Sequence, residues 1–304
     1  MLNMSSEVLI KKHILITGGT GFIGRYLSNQ LVKAGSRVTS VSRSGGNHES
    51  HICADLTHKE TVVSLAKKLS SIDTIIHCAA IAHGEKPPKN YSVADFNTLI
   101  SNNILKAFER HQLRWIFGRS ISVYGELHSN FSIPITLFPK PVDSYGAGKL
   151  NDEELFISKC GHLDILRLMP VYDSENLQDI RKRVFLPNTN IKIRIWPAPL
   201  YSICNVEEVL TAVKKCMNNI SGQRIIQVGD SQPISQNELV NWFSGGSIVV
   251  PQLFFRIIVY LLPKKIAVFR SISYMLKKLG LSNIYEIGCK EFELKDFAVK
   301  NQNC

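Results

Sequence analysis

The sequence has no apolar run long enough to cross a bilayer. Its greasiest stretch, residues 249–262, is broken by Pro251, Gln252 and Arg256, short of the roughly 20 apolar residues a spanning helix needs. Cysteine pairs are missing too. Cys53, Cys78, Cys160, Cys204, Cys216, Cys289 and Cys304 are scattered, odd in number and without ligand spacing, which argues against a disulfide framework or a zinc site and fits a reducing cytoplasm. No metal is expected. Residues 1–12 carry charges on both sides of a short apolar stretch and lack a signal-peptide core, so secretion is not expected. Acidic residues are scarce: 25 Asp and Glu stand against 36 Lys and Arg, for a net charge of +11, and none falls between Glu238 and Glu286. That balance suits anionic ligands. Nucleic acid is not expected among them, because the aromatic residues are not interleaved with the charges as base-stacking platforms require. Internal repeats and low-complexity tracts are also absent. With 304 residues, 44% hydrophobic and 20% charged, the chain is ordinary globular material, long enough for one large domain with an appended lobe.

Against these absences stands a glycine-rich segment, Thr17-Gly18-Gly19-Thr20-Gly21-Phe22-Ile23-Gly24. It follows the apolar run 13–16, which reads as a buried strand. It precedes Tyr26, Leu27, Gln30 and Leu31, whose spacing suits an amphipathic helix. In that strand, turn and helix setting, glycines let backbone N–H groups and a helix N-terminus face a pyrophosphate. Further strands are expected at 37–41, 52–54, 74–78 and 114–117, with a helix over 61–69 between two of them. The alternation predicts an α/β fold with a Rossmann-type, doubly wound parallel sheet. Ligands of such sheets bind beyond the carboxyl ends of the strands, where Gly18, Ser42, Asp55, Cys78 and Ser120 fall. From about residue 170 the alternation fades. We therefore expect a nucleotide-binding domain over 1–168 and a smaller, mainly substrate-binding lobe over 169–304, with some segments of the second half returning to the first.

Tyr145 stands four residues before Lys149, a spacing that puts both on one face of a helix. A phenol with a reference pKa of about 10 is a poor base at neutral pH unless a cation stabilises the phenolate. Lys149 is that cation. A tyrosine so assisted can take the proton of a hydroxyl while hydride leaves the same carbon, or return both to a carbonyl.

These residues resemble the extended short-chain dehydrogenase/reductases, in the nucleotide-sugar epimerase/dehydratase branch, over nearly the whole chain. The glycine segment matches TGxxGxxG, and Asp55-Leu56 the acidic-apolar pair that contacts adenine. His77-Cys78-Ala79-Ala80 resembles HxAA, and Asn97 opens a match to the helix NxxGTxNLLxA. Ser120-Ile121-Ser122-Val123-Tyr124-Gly125 looks like SxxVYG, and Tyr145 with Lys149 matches YxxxK. The resemblance implies Ser120, Tyr145 and Lys149 as catalytic residues. It implies Gly18, Gly21, Phe22, Ile23, Gly24, Asp55, Leu56, Cys78, Ala79, Ala80, Tyr145 and Lys149 as contacts of a nicotinamide dinucleotide. Ser122 and Tyr124 are expected to be structural, pointing alternately from a strand end. His77 is given no catalytic role, and Asn97 is expected to tie backbone groups in its helix.

At the end of the second strand, where an acidic residue would favour NAD, the chain has Ser42-Arg43. Both can bond a 2′-phosphate, so NADP is expected over NAD. The family's dehydratases carry an Asp-Glu pair after the serine position. Ile121-Ser122 stand here, and Ile121 cannot move a proton, which leaves a 4-epimerase or a 4-keto reductase of a nucleotide sugar in surface-polysaccharide precursor synthesis. Tyr201 stands where UDP-sugar enzymes have a diphosphate-binding arginine, and Met169-Pro170-Val171-Tyr172-Asp173 lacks the glycine of the usual NVYGP-like turn. Arg181, Lys182, Arg183 and Arg194 are the candidate replacements. Asn205 and Glu207 are substituted within the HVxD stretch. Residues 250–280 combine Arg256, Lys264, Lys265, Arg270, Lys277 and Lys278 with large apolar side chains. Such a segment either packs in the substrate lobe or touches anionic lipid, the latter giving access to a polyprenyl-diphosphate-linked sugar. A non-catalytic NADP-binding sensor or assembly protein of the same fold is the alternative from another class. The resemblance further implies a homodimer, paired through helices that include 93–108 and 145–160.

Overall fold

A computed structural model describes residues 12–46, 50–81, 87–109, 113–125, 127–142, 144–218, 222–262 and 267–292, with the side chains of 144, 145, 267–271 and 290–292 outside that description. The chain opens with β1 (His13–Thr17), α1 (Phe22–Lys33), β2 (Arg37–Ser42), β3 (His51–Cys53), α2 (Lys59–Lys68), β4 (Thr74–His77), α3 (Val93–Ala107) and β5 (Arg114–Ser120). β6 (Ser129–Ile133), α4 (Ser144–Lys159), β7 (His162–Leu168), β8 (Val171–Tyr172), α5 (Gln178–Arg181), β9 (Ile193–Trp196), β10 (Leu200–Tyr201) and β11 (Cys204–Asn205) follow. The last elements are α6 (Val206–Asn218), β12 (Gln223–Val228), β13 (Ile234–Ser235), α7 (Gln236–Asn241), β14 (Ile248–Pro251), α8 (Gln252–Leu261), α9 (Ala267–Gly280), β15 (Asn283–Tyr285) and β16 (Gly288–Phe292).

The expected strands and helix form within a residue or two of the expected bounds, except that β5 runs three residues past its expected end. One sheet runs β16-β12-β7-β5-β4-β1-β2-β3. All pairs in it are parallel except β12 with β16, which is antiparallel. β1 and β4 bury every residue, as strands covered on both faces must. α1 buries Gly24, Leu27, Ser28 and Leu31, one stripe at the helical period. The order reverses between β1 and β4, which makes the crevice beyond their carboxyl ends the natural ligand site.

β12 and β16 bring the second half of the chain back into this sheet. The remaining strands form small sheets, among them β13-β10-β15-β6 and the pair β14-β9. A separate core cluster, with Ile193, Ile195, Phe255, Val259, Leu276 and Leu279, joins β9, α8 and α9. α7 starts with a capping box in which Ser235 and Glu238 satisfy each other's backbone N–H groups.

Among the described residues, four buried ion pairs tie the sheet together and to α4. Arg119 of β5 holds Asp152 at 2.8 Å, Arg167 of β7 holds Glu153 at 2.6 Å, and Asp164 of β7 takes Arg114 and Arg224 from the strands on either side. Removing one partner of such a pair typically costs about 3–5 kcal/mol, because a buried charge is left alone. Tyr124 lies in a 3-10 turn over Ile121–Tyr124 and accepts from Arg167 at 2.8 Å. The strand geometry expected for Ser122 and Tyr124 gives way to this turn. Asn97 is also repositioned: its side chain accepts from Ile81 N–H at 2.7 Å and donates to Ile81 C=O. It thus binds the segment after β4 and leaves its own helix alone.

Candidate active site

The turn after β1 is built by steric necessity. Gly18 has φ +73°, and a Cβ there would fall 2.9 Å from Ala79 N, so neither the backbone angle nor the space admits a side chain. A Cβ on Gly24 would collide with the Gly18 carbonyl. α1 begins at Gly21 without a side-chain cap and has no acidic residue in its first turn, so its N–H groups and dipole stay available to an anion. Thr17 Oγ1 accepts from Ala79 N–H at 3.1 Å and lies 2.7 Å from His77 Nδ1, which fixes β4 against the turn.

A cavity of ≈630 Å³ brings Gly18, Gly21, Phe22, Ile23, Gly24, Cys78, Ala80, Ser120 and Lys149 together. β5 delivers Ser120, whose Oγ accepts from Ser122 N–H at 3.2 Å. α4 carries Tyr145 in its first turn and Lys149 one turn later. The Tyr145 side chain lies outside the described residues. Lys149 is only 5% exposed. Burial, then the Arg119 charge, lowers its ammonium to about 7, with Asp152 pulling the other way. Arg119 itself lies 3.3 Å above the Phe117 ring centroid, and Asp152 also accepts from Thr98 at 2.7 Å. His77, stacked with Phe117 and Phe156, is held neutral by burial and by the Arg119 and Lys149 charges. Burial raises the Cys78 thiol to about 12, partly offset by Arg119, so it is no nucleophile here.

Ser42, Arg43, Asp55, Leu56 and Ala79 sit outside this lining, at or just past the ends of β2, β3 and β4. Ser42 donates to Ser44 C=O at 2.6 Å, and Arg43 is exposed. Burial works to raise the Asp55 carboxyl, but bonds from Thr57 N–H and Oγ1, with the His58 and Arg43 charges, bring it below the usual value. Leu56 buries its side chain in the core, and Asn103 donates to its carbonyl at 3.0 Å.

The same lining includes Lys182, Arg183, Tyr201, Tyr274, Lys278 and Tyr285. Of the four candidate anion contacts, only Lys182 and Arg183 reach it. Arg181 bonds Asn190 at 3.1 Å and lies over Phe185; Arg194 bonds Asn237 and Asn241. The missing glycine after Tyr172 has a local substitute: Asp173 Oδ1 accepts from the N–H groups of Glu175 and Asn176 at 2.8 and 2.7 Å, closing the turn by side chain. Asn205 accepts from Glu207 N–H at 3.0 Å at the start of α6. Sequence reasoning missed Arg119, Tyr274, Tyr285 and the placement of Lys278. A signal existed for the first: an arginine between Gly118 and Ser120 in an apolar strand demands a buried carboxylate, and Asp152 follows Lys149 by three.

Fold and cavity together define a doubly wound, Rossmann-type α/β protein. The profile of the NAD dependent epimerase/dehydratase family matches residues 14–167, half of the chain, and the protein belongs to that family. A probable UDP-arabinose 4-epimerase 3 from Arabidopsis thaliana is 30% identical over 189 residues, covering 54% of this chain and 44% of the relative. This chain thus spans about half the length of the curated relatives it matches. Among solved structures, the Thermotoga maritima UDP-glucose 4-epimerase with UDP-glucose aligns with TM-score 0.63 at 21% identity, covering 79% of this chain and 85% of that one. The Thermus thermophilus UDP-glucose 4-epimerase complex with NAD gives 0.62 at 20% identity, covering 79% and 86%.

Proposed function

We propose that the protein is an NAD(P)-dependent oxidoreductase or epimerase of a nucleotide-activated sugar, working at a carbinol or ketone carbon, C4 by the resemblance. The observation that carries this is one cavity lined by the glycine turn, Ser120 and Lys149 together with the basic side chains of Lys182, Arg183 and Lys278. A bound nicotinamide dinucleotide supplies hydride exchange. Gly18, Gly21, Phe22, Ile23 and Gly24 hold its pyrophosphate, with Cys78, Ala79, Ala80, Asp55 and Leu56 completing the cradle. Ser120 donates to the reacting oxygen, Tyr145 takes or gives its proton, and Lys149 keeps the phenol acidic. This chemistry suits a homodimeric, cytoplasmic enzyme making surface-polysaccharide precursors. The dinucleotide retained on purification, with turnover of UDP-sugars and UDP-4-keto sugars, tests the reading. Retained NAD with sugar interconversion marks an epimerase, and NADPH consumption a reductase. Neither activity would favour the sensor.

The exposed Arg43 supports NADP, while the Ser42 hydroxyl is held by the Ser44 carbonyl. Arg43→Ala should weaken NADPH binding by about tenfold, the value of one charge-assisted contact, and leave NADH unchanged. Tighter binding of NADH than NADPH by the wild type would refute the preference.

The outer face of α8 supports a peripheral membrane contact. Leu253, Phe254 and Tyr260 are 68, 56 and 80% exposed, Ile257 and Leu261 lie beside them, and Trp196, paired with Pro251 at the start of α8, is 71% exposed. Arg256 stands on the same face, in a stretch without acidic residues. Aromatic and aliphatic side chains with basic charge and no carboxylate complement the headgroup layer of anionic lipid. No helix among the described residues is long and apolar enough to cross a membrane. Sedimentation with phosphatidylglycerol vesicles should be salt-sensitive and lost in Phe254→Asp/Tyr260→Asp. Absence of salt-sensitive binding by the wild type would remove the idea.

A further inference from the structure

Beside Ser120 and Lys149 lies a charge pair to which the proton-transfer reading gives no part. Arg119 stands one residue before Ser120 at the end of β5, and its side chain is buried. Its Nη2 donates to Asp152 Oδ2 at 2.8 Å, and its guanidinium sits 3.3 Å above the Phe117 ring centroid. Asp152 follows Lys149 by three on α4, so the two side chains share a helix face. Asp152 is fully buried, and its Oδ1 accepts from Thr98 of α3 at 2.7 Å. The carboxylate is thus held from two elements, and it fixes the guanidinium in turn. Arg119, Ser120 and Lys149 all line the same cavity. A buried ion pair contributes little to stability over apolar packing, so its place among the reacting groups calls for another use.

Two opposite charges so placed act on the ammonium in opposite directions. In a buried site, poorly screened by water, the guanidinium disfavours a second positive charge and the carboxylate favours it. Burial is the first cause of the lowered lysine, Arg119 the second, and Asp152 opposes both. The other titratable groups on the neighbouring elements are engaged elsewhere or neutral. On β4, burial keeps His77 neutral and Cys78 protonated. On α4, Glu153 is held by Arg167 at 2.6 Å, and Tyr145 is the phenol the lysine serves. On α3, Asp95 is exposed and accepts from Ser92 at 2.6 Å. In the 3-10 turn, Tyr124 accepts from Arg167.

We propose that Arg119 and Asp152 are positioning residues for the catalytic lysine, an opposed pair that sets the proton affinity of Lys149 and with it the upper pH limit of turnover. Arg119 makes the ammonium give up its proton at lower pH. Asp152 retains that proton and holds Arg119 in place. The consequence for turnover rests on the Tyr145 and Lys149 reading, whereas the coupling of the three charges does not.

Nuclear magnetic resonance of protein labelled with ¹³C at lysine Cε gives the Lys149 midpoint directly, without dinucleotide or sugar, once its signal is assigned by loss in Lys149→Met. The alkaline limb of kcat/KM with UDP-sugars gives the consequence. Arg119→Gln should raise the midpoint and the limb by about one pH unit, and Asp152→Asn should lower both by about half a unit. Arg119→Lys, which keeps the charge, should hold both within about 0.3 unit of wild type. Where a single variant fails to fold because its partner is stranded, Arg119→Gln/Asp152→Asn strands neither. Its midpoint should lie above that of wild type, because the guanidinium outweighs the carboxylate at Lys149. Midpoints that move as stated in a protein that turns over no UDP-sugar would keep the pair and dismiss the sugar chemistry. A pair that only holds the fold would lower the melting temperature and leave the lysine alone. A Lys149 midpoint within about 0.3 unit of wild type in Arg119→Gln, or in the double variant where the single one does not fold, would therefore overturn the proposal.

Discussion

Lys149→Met is expected to abolish turnover and, at neutral pH, to make the protein more stable. The ammonium is almost fully buried, and burial with the Arg119 charge lowers it from 10.5 to about 7. An unfolded lysine holds its proton up to about pH 10.4, so between about 7 and 10.5 the unfolded chain binds more protons than the folded one. Stability must therefore rise with pH across that window. Below about pH 7 both states are charged and the penalty is constant. Each unit of the displacement is worth about 1.4 kcal/mol, so methionine, apolar and of similar length, removes a burden of a few kcal/mol. Melting curves of both proteins from pH 6 to 10 check this. The variant should melt several degrees higher near pH 7, and the gap should close towards pH 10. A variant that melts lower throughout would show that Lys149 holds the fold together. The same titration should draw the alkaline limb of kcat/KM down towards neutrality, because the lysine must be charged to support the phenolate.

Tyr145→Phe should lower kcat by ~10³–10⁴ while dinucleotide affinity stays within about threefold, because the substitution removes one proton carrier and no more. Ser120→Ala, which removes a donor to the reacting oxygen, should cost ~10². Steady-state rates with dinucleotide titrations separate the two effects. A Phe variant within tenfold of wild type would move the proton transfer to another group, and loss of dinucleotide binding would recast Tyr145 as a binding residue.

The sheet was legible because its signals are local. The 13–16 and 74–78 runs are apolar since both faces of β1 and β4 are covered, and Gly18 and Gly24 stand where no other residue fits. The position of Lys149 could be read from its spacing to Tyr145. Its depressed ammonium could not, because Arg119 comes from β5 and Asp152 from the next turn of α4, a juxtaposition made only by folding. The substrate end was legible least. Arg181, Lys182, Arg183 and Arg194 are equivalent as sequence, and only the turn after α5 decides that Arg183 faces inward while Arg181 lies over Phe185. Lys278 arrives from α9, 95 residues beyond Arg183 in the numbering. Asn97 shows the same limit, since its partner Ile81 lies across a segment no periodicity links to it.

The central claim is that one assisted phenol moves a proton at the carbon where hydride is exchanged. Single-turnover oxidation of deuterium-labelled NADPH by a UDP-4-keto sugar, run in light and in heavy water, addresses both transfers at once. Both labels should slow the same step, and Tyr145→Phe should abolish the solvent effect together with most of the rate. A rate indifferent to solvent deuterium and unchanged by Tyr145→Phe would contradict the account.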